Sequence, residues 1–89
     1  MISEKDKTTI IDTASRYKAS LVLLFGSSAD PKQQAQDIDL GVEGINPKDF
    51  FRFYGDLLFS LSRPVDVIDL SSKSKFTEIV RQEGIPLYG

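Results

Sequence analysis

The 89-residue chain contains no cysteine and no histidine. The first absence removes disulfides and thiolate metal sites. The second removes the common zinc ligand, the usual general base, and every Ser-His or Cys-His triad. Acid–base work would fall to carboxylates, lysine or tyrosine. A basic excess is also lacking: the formal net charge is −2 and the pI about 4.9. That gives no global footprint for nucleic acid, and no direct sequence-specific nucleic-acid binding is expected. No apolar run is long enough to span a bilayer. The opening MISEKDKTT is polar and of mixed charge, unlike a signal or transit peptide, so a cytoplasmic location is expected. Neither a repeat nor a linker interrupts the chain, and one domain over 1–89 is expected. So short a chain buries a limited core, and a partner or self-association would help it.

What is present is a clear alternation of elements. Ser3 followed by Asp6, then Ile10, Ile11, Ala14 and Tyr17 at helical spacing, predicts a helix over Glu4–Tyr17. Leu21–Phe25 is an apolar run of strand length that stops at Gly26-Ser27. Ser28–Gln36 reads as a loop, and Asp37–Val42 as a second strand, antiparallel to the first across this short connection. Asn46-Pro47 marks the next helix start, and Phe50, Phe53, Tyr54, Leu57, Leu58 and Leu61 supply its apolar face. On the same wheel Phe59 points nearly opposite, a candidate contact for an oligomer or partner. Val65–Leu70 reads as a third strand, parallel to the second. A last helix begins near Ser74, turns Phe76, Ile79 and Val80 inward, and ends at Gly84. Ile85–Tyr88 is a short apolar tail of edge-strand type. The expected fold is α+β: a small mixed three-stranded sheet in the order 1-2-3, with helices packed on one face.

Strand periodicity then sorts the acids. Asp37 and Asp39 are two apart and share a face, with Ile38, Leu40 and Val42 on the other. Asp66, flanked by Val65 and Val67, falls on the open face with them, whereas Asp69 takes the opposite face near its strand end. Carboxylates fixed on a rigid strand suit a hard cation such as Mg²⁺ that also holds substrate phosphates. Gly26-Ser27 at the preceding strand end offers N–H groups and a hydroxyl to a phosphate. Taken singly, each feature has a plainer reading: Gly26-Ser27 as a turn, Asp39 as a solvated residue on a polar sheet face. A phosphatase-like Asp-x-Asp would sit at a strand's C-terminal end, but this pair opens its strand.

Four segments in order, LVLLFGS (21–27), DIDLGV (37–42), PVDVIDL (64–70) and EGIPLYG (83–89), resemble the nucleotidyltransferase superfamily of DNA polymerase β. The similarity is greatest to its minimal, single-domain members. The resemblance implies transfer of a nucleoside monophosphate, AMP in the first instance, from an NTP to a hydroxyl acceptor with two Mg²⁺ ions. It implies Asp37, Asp39 and Asp66 as catalytic residues and metal ligands, Asp66 on the side of the attacking hydroxyl. It implies Gly26, Ser27 and Ser28 as nucleotide-binding residues. It also implies a small helical HEPN-type partner in a toxin–antitoxin pair, with the partner as acceptor. Minimal members carry arginines after Gly-Ser, where this chain has Ser28, Ala29 and Asp30. Arg63, Lys32, Lys48 and Arg52 are the candidate replacements. The alternative function is a catalytically inactive module that neutralises or scaffolds a partner protein.

Overall fold

The computed structural model describes residues 2–32 and 37–89. Residues 33–36 of the predicted loop, including Gln36 before the Asp-x-Asp, lie outside the described residues. The elements run α1 (Glu4–Arg16), β1 (Leu21–Phe25), a 3₁₀ turn (Gly26–Ala29), β2 (Ile38–Glu43), α2 (Phe50–Ser60), β3 (Val65–Asp69), α3 (Lys75–Glu83) and β4 (Ile85–Tyr88).

The sheet has four strands in the order β3-β2-β1-β4, not three. β2 is central as expected, antiparallel to β1 and parallel to β3. The correction is the C-terminal tail: β4 pairs antiparallel with β1 and covers what would otherwise be an open edge. The tail reads as an edge strand, but four residues interrupted by Pro86 do not show which strand they join.

The main core lies between one sheet face and the helices α1 and α2. Val22, Leu24, Ile38, Leu40, Val42, Val65 and Val67 meet Ile10, Ala14, Phe53 and Leu57 there. The other face is not left bare, which corrects the expectation of helices on one side only. α3 crosses it, and Leu23, Leu70 and Val80 form a second, smaller core with Leu21, Phe25 and Ile68 packed around it. Gly41 permits this approach: a Cβ there would stand 3.0 Å from Leu70 Cδ2 and 3.1 Å from Val80 Cγ1.

Caps show where local rules held. Ser3 Oγ accepts the Asp6 N–H at 3.1 Å, and Ser74 with Thr77 forms a reciprocal capping box at the start of α3. The expected start of α2 shifts. Asn46 and Pro47 belong to a turn in which the Asn46 carbonyl accepts the Asp49 N–H, and α2 begins at Phe50 with Asp49 as its N-cap residue. Asn46 Oδ1 takes the Lys48 N–H instead of a helical one, so the side chain that reads as a helix cap closes an Asx turn.

One buried acid has a purely structural position. Asp6 is 2% exposed, and its carboxylate accepts both the backbone N–H and the hydroxyl of Ser62, 56 residues on. It ties α1 to the segment between α2 and β3. Asp6→Ala would leave the Ser62 groups without that acceptor and should destabilise the fold by about 1.5–3 kcal/mol. Urea unfolding of the variant against wild type measures this directly; a change below about 0.5 kcal/mol would show the tie to be dispensable.

Candidate functional site

The site lies at one end of the α3-bearing face of the sheet, where β1 ends and β2 and β3 begin. Phe25 pairs with Asp39, and Asp39 pairs with Asp66, so the two acids are neighbours across a parallel ladder on the same face. Asp37 stands one residue before β2 and is exposed. Asp69 accepts the N–H and hydroxyl of Ser71 in a local turn, away from the others.

Asp39 is the most constrained of the three acids. Its backbone N–H donates to Ser28 Oγ at 3.2 Å, and that hydroxyl donates to the Phe25 carbonyl at 2.7 Å. Ser28 is 1% exposed, so its hydroxyl links the end of β1 to the start of β2 and does not face a ligand. Ser27, by contrast, is exposed. Gly26 adopts a left-handed φ of 66°, and a Cβ there would stand 2.6 Å from Asp39 Oδ2. Glycine is therefore required twice, by backbone conformation and by the closeness of the carboxylate.

Electrostatics follow from this crowding. Partial burial, and then the charges of Asp66 and Asp37, hold the Asp39 carboxyl above its ordinary range. The Tyr54 hydroxyl lies 3.4 Å from Asp66 Oδ1 and donates to it. Among the described residues, no three acids are gathered closely enough to form a ready-made metal cage. Mg²⁺ does not need one, since it keeps several waters and uses one or two carboxylates plus substrate phosphates. An all-oxygen donor set, with mutual repulsion that a cation would relieve, fits such an ion.

Beside Gly26 opens a cleft of about 490 Å³ between the 3₁₀ turn and α3. Phe25, Ala29, Phe76, Ile79 and Val80 form its apolar part, and Asp30 and Glu83 its acidic part. Phe25 and Phe76 meet edge to face with centroids 5.9 Å apart. This cleft corrects the reading of α3. Val80 is buried, but Phe76 and Ile79 are each about half exposed, at 53% and 51%. Helical spacing identified the apolar side of α3 but not the gap it borders.

Two of the four candidate cations are misplaced for this site. Arg52 lines a hollow with Arg16, Lys18, Gly44 and Asn46, beyond the far end of β2, and Lys48 belongs to the turn after Gly44. Lys32 follows the 3₁₀ turn, where its N–H donates to Asp30 Oδ1. Arg63 precedes Pro64, whose carbonyl accepts the Ile38 N–H, so it lies at the carboxylate end of the sheet. The part of Ser28 in linking the strands was not legible in the sequence, and the tail read as an edge strand but not as the partner of β1; the left-handed Gly26 beside an acid was signalled by Gly-Ser.

A mixed sheet with Gly-Ser ending one strand and paired aspartates on its neighbours defines the nucleotidyltransferase class. The family model for polymerase beta nucleotidyltransferases matches residues 8–89, and the chain belongs to that family. Among solved structures, a chain of a toxin–antitoxin structure with AMP-PNP superposes with a TM-score of 0.76 at 28% identity, covering 93% of this chain and 73% of that one. A chain of the MntA–HepT toxin–antitoxin structure gives 0.73 at 25% identity, with 98% and 73% covered. A third comes from a tri-AMPylated Shewanella oneidensis HEPN toxin in complex with an MNT antitoxin, with a TM-score of 0.72, 27% identity, and 94% and 70% covered. No curated protein matches the sequence. Among the described residues, no helix is long and apolar enough to cross a membrane.

Two outcomes test the geometry. Gly26→Ala should cost about 1–2 kcal/mol from its left-handed backbone alone and should displace the Asp39 carboxylate as well. Thermal unfolding measures the first, and loss of Mg²⁺-dependent ATP binding the second. Asp39→Asn should behave oppositely in metal-free buffer. A raised folded-state pKa means the native state holds its proton longer than the unfolded chain, so stability falls as pH rises through that window. The full penalty is in place above it. Asp39→Asn should therefore be at least as stable as wild type at neutral pH in EDTA, with any gain vanishing as pH falls below about 4. A gain that grew towards acid pH would contradict the assigned cause.

Proposed function

We propose that this domain transfers AMP from Mg²⁺–ATP to a hydroxyl on a small helical HEPN-type protein, and so acts as the antitoxin of a pair. The observation that carries the reading is the pairing of Asp39 with Asp66 beside the left-handed Gly26. The toxin–antitoxin structures that superpose on the chain, one with AMP-PNP and one with an AMPylated toxin, support the nucleotide and the acceptor.

Each residue has a part that its position supports. The exposed N–H groups around Gly26 and the Ser27 hydroxyl receive the terminal phosphates. Ser28 acts from behind, fixing the Asp39 backbone against the end of β1. The cleft between Phe25 and Phe76 receives the base or ribose, and excludes water there. Asp66, held by the Tyr54 hydroxyl, meets the acceptor hydroxyl and draws on its proton. Asp37, Asp39 and Asp66 would hold Mg²⁺, which when bound supplies charge neutralisation at the attacking and leaving oxygens.

A second reading rests on one departure. Asp30 stands where arginines would help neutralise a triphosphate, and it lines the cleft itself. A domain that kept the fold but lost nucleotide would bind and restrain a partner without modifying it.

Calorimetry with Mg²⁺–ATP, run beside transfer of labelled AMP to the product of the adjacent gene, separates the two. Wild type should bind and transfer. Asp39→Asn should lose at least tenfold in Mg²⁺-dependent ATP affinity, because Asp39 serves the bound nucleotide. Asp66→Asn should bind ATP nearly as wild type and drop transfer by about 10²-fold or more, because it serves the acceptor. Absence of wild-type ATP binding, with partner binding intact, would establish the non-catalytic module.

A further inference from the structure

Among the described residues, no other element covers the outer side of α2, where Phe51 meets Phe50 of the same helix edge to face. Phe51, Leu58 and Phe59 are 83%, 53% and 95% exposed, while Phe53 and Leu57 on the opposite side of the same helix are fully buried. Three bulky apolar side chains on one solvent-facing stripe make a patch of the size that is often functional.

Gly55 lies at the centre of that stripe and is out of place by the fold's own needs. Glycine is disfavoured in a helix interior relative to alanine. At each of the other five glycines, an added Cβ would come within 3.0 Å of a neighbouring atom; at Gly55 it would meet nothing within 4 Å. The chain therefore does not require glycine here, but a second helix laid across this point would.

The order about Gly55 is self-complementary. Phe51 is four residues before it and Phe59 four after, so both share its side of the helix. A twofold axis through Gly55 makes two copies of α2 antiparallel and sets Phe51 of each against Phe59 of the other. We propose that two copies of this chain associate in this way, with α2 crossing α2 at Gly55.

Charge favours that direction. Arg52 lies in the first turn of α2, and Lys48 just before the helix. The antiparallel arrangement places them beside the last turn of the second copy's α2, where unpaired carbonyls carry the negative end of the helix dipole. A parallel arrangement would gather four cations around only the two Asp49 carboxylates. Arg52 would also lay its stem over the second copy's Leu58. α2 packs on the sheet face opposite Asp39, and its Tyr54 reaches the carboxylate site only at Asp66.

The stripe offers on the order of 400 Å² per copy, taking roughly 150–250 Å² for a Phe ring. That is about half of one side of a standard interface, so the association belongs to the weak class. Sedimentation velocity of the whole chain over about 5–500 µM, a range that brackets micromolar dissociation constants, tests it. Wild type should show a concentration-dependent rise towards a dimer. Gly55→Arg and the Phe51→Ser/Phe59→Ser double variant should raise the dissociation constant at least tenfold, with circular dichroism unchanged because none of the three residues is buried and Phe51 meets Phe50 at the edge of the core. Gly55→Ala should raise the thermal midpoint at low concentration and weaken the dimer. A wild type that stays monomeric to the highest concentration overturns the proposal, as does a dimer that persists undiminished in both disruptive variants.

Discussion

The buried hydroxyl of Ser28 holds the structure's working end together. It donates to the last carbonyl of β1 and accepts the Asp39 N–H near the start of β2. Residues 26–37 separate the two strands in sequence, and a separation of that length does not by itself fix how their ends meet. The antiparallel ladder pairs Phe25 with Asp39 there, and the Ser28 hydroxyl adds a second link in a place where water cannot compete. Everything functional is referred to it: the left-handed turn at Gly26, the carboxylate of Asp39 pressed against that turn, and Asp66 in register beside Asp39. An alanine at 28 would leave the Asp39 N–H and the Phe25 carbonyl without this acceptor and donor, and would loosen the one distance the site relies on.

The sheet uses its two faces differently. One is sealed by α1 and α2 over a continuous core. The other is covered by α3 only around Leu23, Gly41 and Leu70, and the rest opens into the cleft beside Gly26. Stability and access are thereby separated along one strand: β2 places Gly41 under α3 and Asp39 two residues earlier in the open part. The same strand sends Ile38, Leu40 and Val42 into the sealed core, so the acids stand on a rigid support.

Much of this was legible because strand parity is strict. Asp-Ile-Asp-Leu-Gly-Val sorts acids from aliphatics without ambiguity, and the same parity separates Asp66 from Asp69. Helix periodicity is less informative. It gives α3 an apolar side, yet cannot say which sheet face that side meets or that half of it borders a cleft. The glycine inside β2 was the available signal, since a strand glycine marks close approach by another element. Asn46-Pro47 misled because an asparagine before proline serves an Asx turn as readily as a helix cap. Asp6 and Ser28 were not readable at all, because a buried polar side chain is identified only by partners distant in sequence or by the depth at which it sits.

Charge is distributed unevenly over this nearly neutral chain. Asp37, Asp39 and Asp66 stand at one end of the sheet, where Arg63 also lies, and Arg16, Lys18 and Arg52, with Asp49 among them, stand at the other. A triphosphate approaching the acidic end is repelled, and Asp30 on the cleft adds to the repulsion. Under the proposed function, the nucleotide and its cations would have to arrive together: each carboxylate would raise affinity for the metal, and the metal would reverse the sign of the field the phosphates meet. On this argument, the missing arginines after Gly-Ser make binding depend more steeply on divalent cation than in relatives that carry them. Fixed guanidinium charge would act at any Mg²⁺ concentration, whereas the proposed site would attract nucleotide only where Mg²⁺ is already sufficient to occupy the acids.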